Sequence, residues 1–161
     1  MQQQKLFFEE EGYLIIEDLL SPQEIEKCQH EIERLHLQYK DFLDKNDPRK
    51  NHFQMEPFRE ENNFDDELSA LRKIEGTRDL SEIFDQLAKH PSLVTAVQNL
   101  IGENLLLFRS TLMLKPAFHG SAHGLHQDSA YWPMEPPKLV TVSIAINDAT
   151  TENGCFKIIP R

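Results

Sequence analysis

The chain has 161 residues, a length that fits one domain. Its 27 acidic side chains outnumber 17 basic ones, for a formal charge of −10, which disfavours a role that tracks a phosphate backbone or an anionic membrane. The apolar fraction of 39% is enough to build a core, and the charge is lopsided: residues 1–90 hold 22 of the acids and 12 of the bases, leaving residues 91–161 neutral.

The longest apolar stretches, around Leu105–Phe108 and Leu139–Ile146, fall far short of a membrane span. The opening Met1–Glu11 carries acids where a signal or transit peptide would not. Cys28 and Cys155 show no CxxC spacing. One bridge between them is possible; two free, structural thiols in a reducing cytosol is the reading favoured, and with it a cytoplasmic location.

Gly12–Ile16 suits a short strand entered through a glycine turn. Ser21-Pro22-Gln23-Glu24 is a helix start, with Ser21 as N-cap, Pro22 at the first position and Glu24 closing a capping box. Ile25, Cys28, Ile32 and Leu35 then share one face, and the helix is expected to run to about Tyr39. Asp44–Asn63 reads as a long loop with a short strand possible near His52–Met55. Leu68–Ile74 fits strand or helix. Leu80–Ala88 is periodic for a helix, and Pro91–Ile101 for another that Gly102 ends.

Beyond Gly102 the pattern changes to strands: Leu105–Lys115, Leu139–Ile146 with period-two alternation, and Cys155–Ile159 after the Asn153-Gly154 turn. Helices first and a growing antiparallel sheet afterwards mean an α+β fold or a decorated barrel.

Between two of these strands lies His119-Gly-Ser-Ala-His123-Gly-Leu-His126-Gln127-Asp128. On an extended chain, residues two apart point to one face, roughly 7 Å apart along the strand. An imidazole and a carboxylate so placed can hold one cation together, as in Fe(II) oxygenase sites with two histidines and a carboxylate. By itself H-x-D is a weak signal, and an exposed loop histidine competes with it. His119 and His123, in a glycine-containing loop, read as loop or pocket residues rather than ligands. His30 and His36 read as a solvated helix face, and His52 and His90 carry no signal.

The stretch Leu112-Met113-Leu114-Lys115-Pro116, Leu125-His126-Gln127-Asp128, Tyr131-Trp132-Pro133, Asn153-Gly154-Cys155 and Ile159-Pro160, together with the opening Phe7–Tyr13 and the Ser21-capped helix, resembles the phytanoyl-CoA dioxygenase family. The resemblance spans almost the whole chain. It implies a double-stranded β-helix (jelly-roll) core behind N-terminal helices, with residues 1–102 as helical cover and loops and 103–161 as the first core strands of a single domain, 1–161. It also implies an Fe(II)- and 2-oxoglutarate-dependent dioxygenase that uses O2 to hydroxylate a small organic substrate while 2-oxoglutarate becomes succinate.

Carried over residue by residue, the resemblance makes His126 and Asp128 iron ligands and places Lys73 and Thr111 beside 2-oxoglutarate. The competing readings are a solvated lysine and an ordinary strand threonine. Gln127 is expected on the opposite face, and Ile144 stands where relatives can carry a tryptophan. Phe53–Glu56, Tyr131 and Trp132 are candidates for a substrate mouth and pocket wall, with aromatic packing the alternative.

The family's second histidine ligand and its 2-oxoglutarate arginine lie further along. Here no histidine follows His126, and Arg161 alone is an arginine beyond Asp128. The jelly-roll core is therefore expected to be C-terminally incomplete in this chain, which is expected to lack full activity alone. A non-catalytic family member acting as a binding or regulatory module is the alternative, and an unrelated acidic interaction domain with a chance motif is the third. The expected partner is a small molecule, not nucleic acid or membrane. Neither the substrate nor the oligomeric state is legible.

Overall fold

The computed structural model describes residues 2–57, 70–117, 120–132, 134–136 and 138–161. Helices α1 (Gln2–Glu11), α2 (Pro22–Asp44), α3 (Thr77–Leu80), α4 (Glu82–Ala88) and α5 (Pro91–Ile101) occupy the first two thirds. Three short strands, β1 (Phe53–Met55), β2 (Leu71–Glu75) and β3 (Thr111–Met113), form an antiparallel sheet with β2 in the middle. The architecture is mixed helix and sheet.

α2 begins as its sequence dictates. Ser21 Oγ accepts the Glu24 N–H at 3.3 Å, and Glu24 Oε2 accepts the Ser21 N–H at 2.8 Å. The helix runs past its expected end near Tyr39 because the apolar stripe continues: Tyr39 and Phe42, four and seven residues after Leu35, are buried with it and with Cys28. This stripe packs on one face of the sheet, against Phe53, Leu71, Ile74 and Leu112, with Phe84 of α4 alongside. The Tyr39 and Phe53 rings stack with centroids 4.6 Å apart, and Phe42 meets Phe53 edge-on at 6.1 Å. Each such pair adds about 0.5–1.5 kcal/mol beyond its burial.

A bulge decides what the sheet's other face presents. β1 pairs Gln54 with Lys73 but Met55 with Leu71, so Arg72 is an extra residue. In a regular strand an inward Leu71 would carry Lys73 inward and Ile74 outward. The extra residue resets the phase. Leu71 and Ile74 both reach the core, while Arg72, Lys73 and Glu75 stay half-buried. β2 ends at Gly76, where φ is +61° and a Cβ would stand 3.1 Å from His52 Nδ1, so glycine is favoured twice over. His52 Nδ1 donates to the Glu75 carbonyl at 2.8 Å and pins that end.

Several expectations are corrected. Gly12–Ile16 is not a strand: Gly12, at φ +82°, donates its N–H to the Phe8 carbonyl at 2.9 Å and ends α1, a helix whose polar sequence carries no core-facing stripe. The Leu80–Ala88 helix is split, because Ser81 Oγ accepts the Phe84 N–H at 3.2 Å and caps α4. The ambiguous Leu68–Ile74 segment resolves as β2 from Leu71 onward; Leu68 and Ser69 lie outside the described residues, as do 58–63 of the expected long loop. The rest of that loop holds a 3-10 turn, Pro48–His52, and β1, near the short strand anticipated there. α5 ends at Gly102 as expected.

Of Leu105–Lys115 only Thr111–Met113 is paired, and Leu139–Ile146 and Cys155–Ile159 have no sheet partner among the described residues. Alternation specifies which face of a segment is apolar, whereas a ladder needs a second backbone alongside. Residues 139–146 are held instead by side chains: Gln29 Nε2 donates to the Ile146 carbonyl at 2.9 Å, and Ile146 packs on the core. Leu106, Leu125, Phe156 and Ile159 remain exposed, and among the described residues the buried apolar ones fall between Cys28 and Leu112. The Asn153-Gly154 turn forms, with Asn153 Oδ1 accepting the Thr150 N–H at 2.7 Å. Both cysteines are free thiols, Cys28 buried and Cys155 half-buried. No helix among the described residues is long and apolar enough to cross a membrane.

Candidate metal centre

Gln127 is extended (φ −114°, ψ 127°), so His126 and Asp128 leave the backbone on the same side just before a 3-10 turn over Asp128–Ala130. Their side chains lean together until His126 Nε2 stands 3.4 Å from Asp128 Oδ1. The outer atom of each is occupied. His126 Nδ1 donates to the Gly124 carbonyl at 2.8 Å, which leaves Nε2 with its lone pair. Asp128 Oδ2 accepts from Thr141 Oγ1 at 2.5 Å.

The inner atoms fit a shared divalent cation. Two neighbouring ligands of an octahedral ion with bonds of ~2.1 Å lie about 3 Å apart, and an imidazole nitrogen with a carboxylate oxygen suits Fe(II). Among the described residues no third His, Cys, Asp or Glu completes a cluster around them.

The pair opens on a cleft of about 490 Å³, also lined by Arg109, His123, Tyr131 and Trp132. Tyr131 stands edge-on to the His126 ring at 5.8 Å, and Phe108 meets Trp132 edge-on at 5.2 Å. The Arg109 guanidinium lies 5.6 Å from the centre of the Trp132 ring. The His123 ring is 6.3 Å from that of His126, and Arg72 Nη2 donates to His123 Nε2 at 2.6 Å. Burial, and then the charge of Arg72, hold the His123 pKa below the usual histidine range. His119 lies outside the described residues.

Lys73 and Thr111 meet elsewhere, on the outward face of the sheet. The β2–β3 register sets Thr111 opposite Glu75, and Lys73 lies two residues before Glu75 on the same face. Glu75 gathers them. Lys73 is ion-paired to it, Thr111 Oγ1 donates at 3.5 Å, and Arg109 donates through Nε at 2.9 Å and through Nη2. Burial raises the Glu75 pKa, but the hydrogen bonds from Arg109 and Lys73 outweigh it and hold the carboxyl below its usual range.

Neither Lys73 nor Thr111 lines the cleft beside His126 and Asp128. Two side chains bridge the groups: Arg109 lines the cleft and grips Glu75, and Arg72, adjacent to Lys73, touches His123. Glu75, Arg72, Arg109 and Thr141 were not singled out from the sequence. Only the Lys73–Glu75 spacing offered a signal; the other contacts join residues distant in the chain.

His36 and His90 have structural partners, and His30 is exposed on α2. His36 Nδ1 donates to the Ile32 carbonyl of its own helix at 2.8 Å, and His90 Nε2 pairs with Glu24 at 3.1 Å. Within Phe53–Glu56, Phe53 belongs to the core and Glu56 is buried, while Gln54 is exposed and Met55 half-buried.

A sequence profile described as phytanoyl-CoA dioxygenase matches residues 8–161. The chain is 33% identical over 96 residues to an L-proline trans-4-hydroxylase of Streptomyces griseoviridis, covering 57% of this chain and 36% of the relative. It is 28% identical over 167 residues to a probable phytanoyl-CoA dioxygenase of Caenorhabditis elegans, covering 98% and 51%. It is 27% identical over 157 residues to an ectoine dioxygenase of Nocardia farcinica, covering 95% and 48%. The chain thus spans about half the length of these relatives, or less. No solved structure matches it at a significant level.

Proposed function

The chain belongs to the phytanoyl-CoA dioxygenase family, and from that premise we propose that it is an Fe(II)- and 2-oxoglutarate-dependent dioxygenase that hydroxylates a small organic molecule. The carrying observation is the 3.4 Å approach of His126 Nε2 to Asp128 Oδ1 with their outer atoms already tied to Gly124 and Thr141. A metal pair prepared in this way loses little freedom on loading. Bound iron with 2-oxoglutarate and O2 supplies the oxidation, decarboxylating the cosubstrate to succinate. The single-domain reading of 1–161 and the jelly-roll architecture belong to this proposal as well.

The chain's own residues then have separable tasks. His126 and Asp128 hold the metal and are not its general acid and base. Lys73, a compact ammonium two residues from Glu75, attracts a carboxylate of 2-oxoglutarate, and Thr111 offers a hydroxyl beside it. Since Arg109 also grips Glu75, that carboxylate does not cancel both cations, and one positive charge is left for the dicarboxylate. Tyr131 and Trp132 wall the cleft and restrict water.

Calorimetric titration of the protein with Fe(II) or Mn(II), then with 2-oxoglutarate, tests the reading. Binding of both, lost in His126→Ala and Asp128→Ala, is expected. A wild-type chain that binds neither would leave a non-catalytic family member acting as a binding module.

A further inference from the structure

The Glu75 carboxylate draws donors from several segments at once. Lys73 is ion-paired to it, Arg109 donates through Nε at 2.9 Å and through Nη2, and Thr111 Oγ1 and Gln54 Nε2 each donate at 3.5 Å. An ionised carboxylate accepts at about four lone-pair sites, so this one is well filled. Strand register assembles the set: Gln54 stands opposite Lys73 across β1–β2, and Thr111 opposite Glu75 across β2–β3. The sheet thus builds a seat for a carboxylate, and a carboxylate of the chain itself sits in it.

Lys73 and Thr111 are also the groups proposed above for a carboxylate of 2-oxoglutarate. One ammonium charge cannot neutralise both anions, so the two compete for it. The Lys73 and Glu75 side chains are 20% and 24% exposed, which lets a small anion reach the pair from solvent. Arg109 allows the exchange without stranding a charge. It holds Glu75 through two nitrogens and keeps it paired when Lys73 lets go. Two carboxylates then share two cations. Arg109 also lines the cleft of His126 and Asp128. Lys73 stands off that cleft on a flexible stem, yet its charge acts on the cleft wall: burial first, then the charges of Arg72, His126, Lys115 and Lys73, hold the His123 pKa down.

We propose that the Lys73–Glu75 contact is an autoinhibitory latch: Glu75 fills the place that a 2-oxoglutarate carboxylate takes at Lys73 and Thr111, and yields it by withdrawing onto Arg109. The latch rests on the cosubstrate reading above. It sets the cosubstrate concentration at which the site loads, because every binding event must first break an ion pair within the chain.

Calorimetric titration of 2-oxoglutarate into the protein with Mn(II) present tests it, on wild type, Glu75→Gln, Lys73→Ala and the double variant. Glutamine still accepts a hydrogen bond from Arg109 but no longer holds Lys73 by charge. Glu75→Gln should therefore bind 2-oxoglutarate about two- to fivefold more tightly, the scale of a partly exposed ion pair. Lys73→Ala should bind at least about fivefold more weakly, as loss of a charge-assisted hydrogen bond implies. In the Lys73→Ala background the gain from Glu75→Gln should disappear, since nothing is left to compete for. Should Glu75→Gln fail to fold, Glu75→Asp replaces it, with the gain in the same direction because its shorter stem pulls the carboxylate back from Lys73.

Equal or weaker binding by folded Glu75→Gln overturns the latch and leaves the dioxygenase reading standing, with Glu75 as a residue that positions Lys73. A gain that persists in the Lys73→Ala background also overturns it, because removal of any nearby negative charge would do the same. Uptake of 2-oxoglutarate by neither wild type nor Glu75→Gln ends the cosubstrate reading and the latch with it, whereas uptake by Glu75→Gln alone is the latch at full strength.

Discussion

Thr141 Oγ1 donates to Asp128 Oδ2 at 2.5 Å, across thirteen residues of chain. The bond holds the carboxylate by its outer oxygen and leaves Oδ1 turned toward His126. Such outer partners set ligand orientation, and losing one commonly costs about 10–100-fold in metal affinity. Thr141→Val is therefore expected to weaken Mn(II) binding by at least about tenfold, and Thr141→Ser to restore it, measured by calorimetry. Equal affinity in all three proteins would remove Thr141 from the site.

Asp128→Ala takes away the carboxylate that faces His126. Mn(II) binding should vanish, while the melting temperature stays near that of the parent because the side chain is a third exposed. A variant that binds Mn(II) as tightly as the parent would place the metal elsewhere.

Glu75 ties Lys73, Arg109 and Thr111 into one cluster, and its folded-state pKa is held below the ordinary value of about 4.3. A carboxyl depressed by folding binds fewer protons in the native state. Its stabilisation is present above the unfolded-state pKa and is lost as pH falls through the folded one. The difference in melting temperature between wild type and Glu75→Gln should be largest at neutral pH and close below pH ~4. A difference that grows on acidification would reverse this assignment.

Ile74 is fully buried at the centre of the sheet. Ile74→Ala should destabilise the chain by about 2–5 kcal/mol in urea unfolding, from lost transfer energy and the cavity left behind. A loss under about 1 kcal/mol would mean the core collapses around the gap.

The two thiols should react very unequally. Burial, with the charges of Glu24 and Glu31 behind it, pushes the Cys28 pKa up, and the side chain is closed off on α2, whereas Cys155 is half-buried beside the Asn153-Gly154 turn. Ellman's reagent should label one thiol promptly in native protein and the second only on unfolding. Prompt labelling in Cys155→Ser would contradict the packing of Cys28.

Elements governed by neighbours in the chain were legible from residue types. The Ser21–Glu24 capping box and the Gly102 helix end act over a few residues. The stripe from Cys28 to Leu35 is a helical period that burial simply follows. The strand expectations fared worse: a period-two pattern at 139–146 says nothing about which backbone will lie beside it, and among the described residues none does. Helix α2 outruns its expected end because Tyr39 and Phe42 extend the stripe by two more positions.

That His126 and Asp128 share one face was legible in the residues alone, because i, i+2 spacing on extended chain needs no partner to put two side chains on one side. The family, too, was legible there, from motifs whose order and spacing are linear properties. Only the tertiary structure decided that Glu75 collects Lys73, Thr111 and Arg109, that Thr141 holds Asp128, and that Arg72 reaches His123. The Glu75 cluster depends on a one-residue bulge in β2 and on the β2–β3 register. Strand pairing between distant segments sets them, and no local periodicity records it.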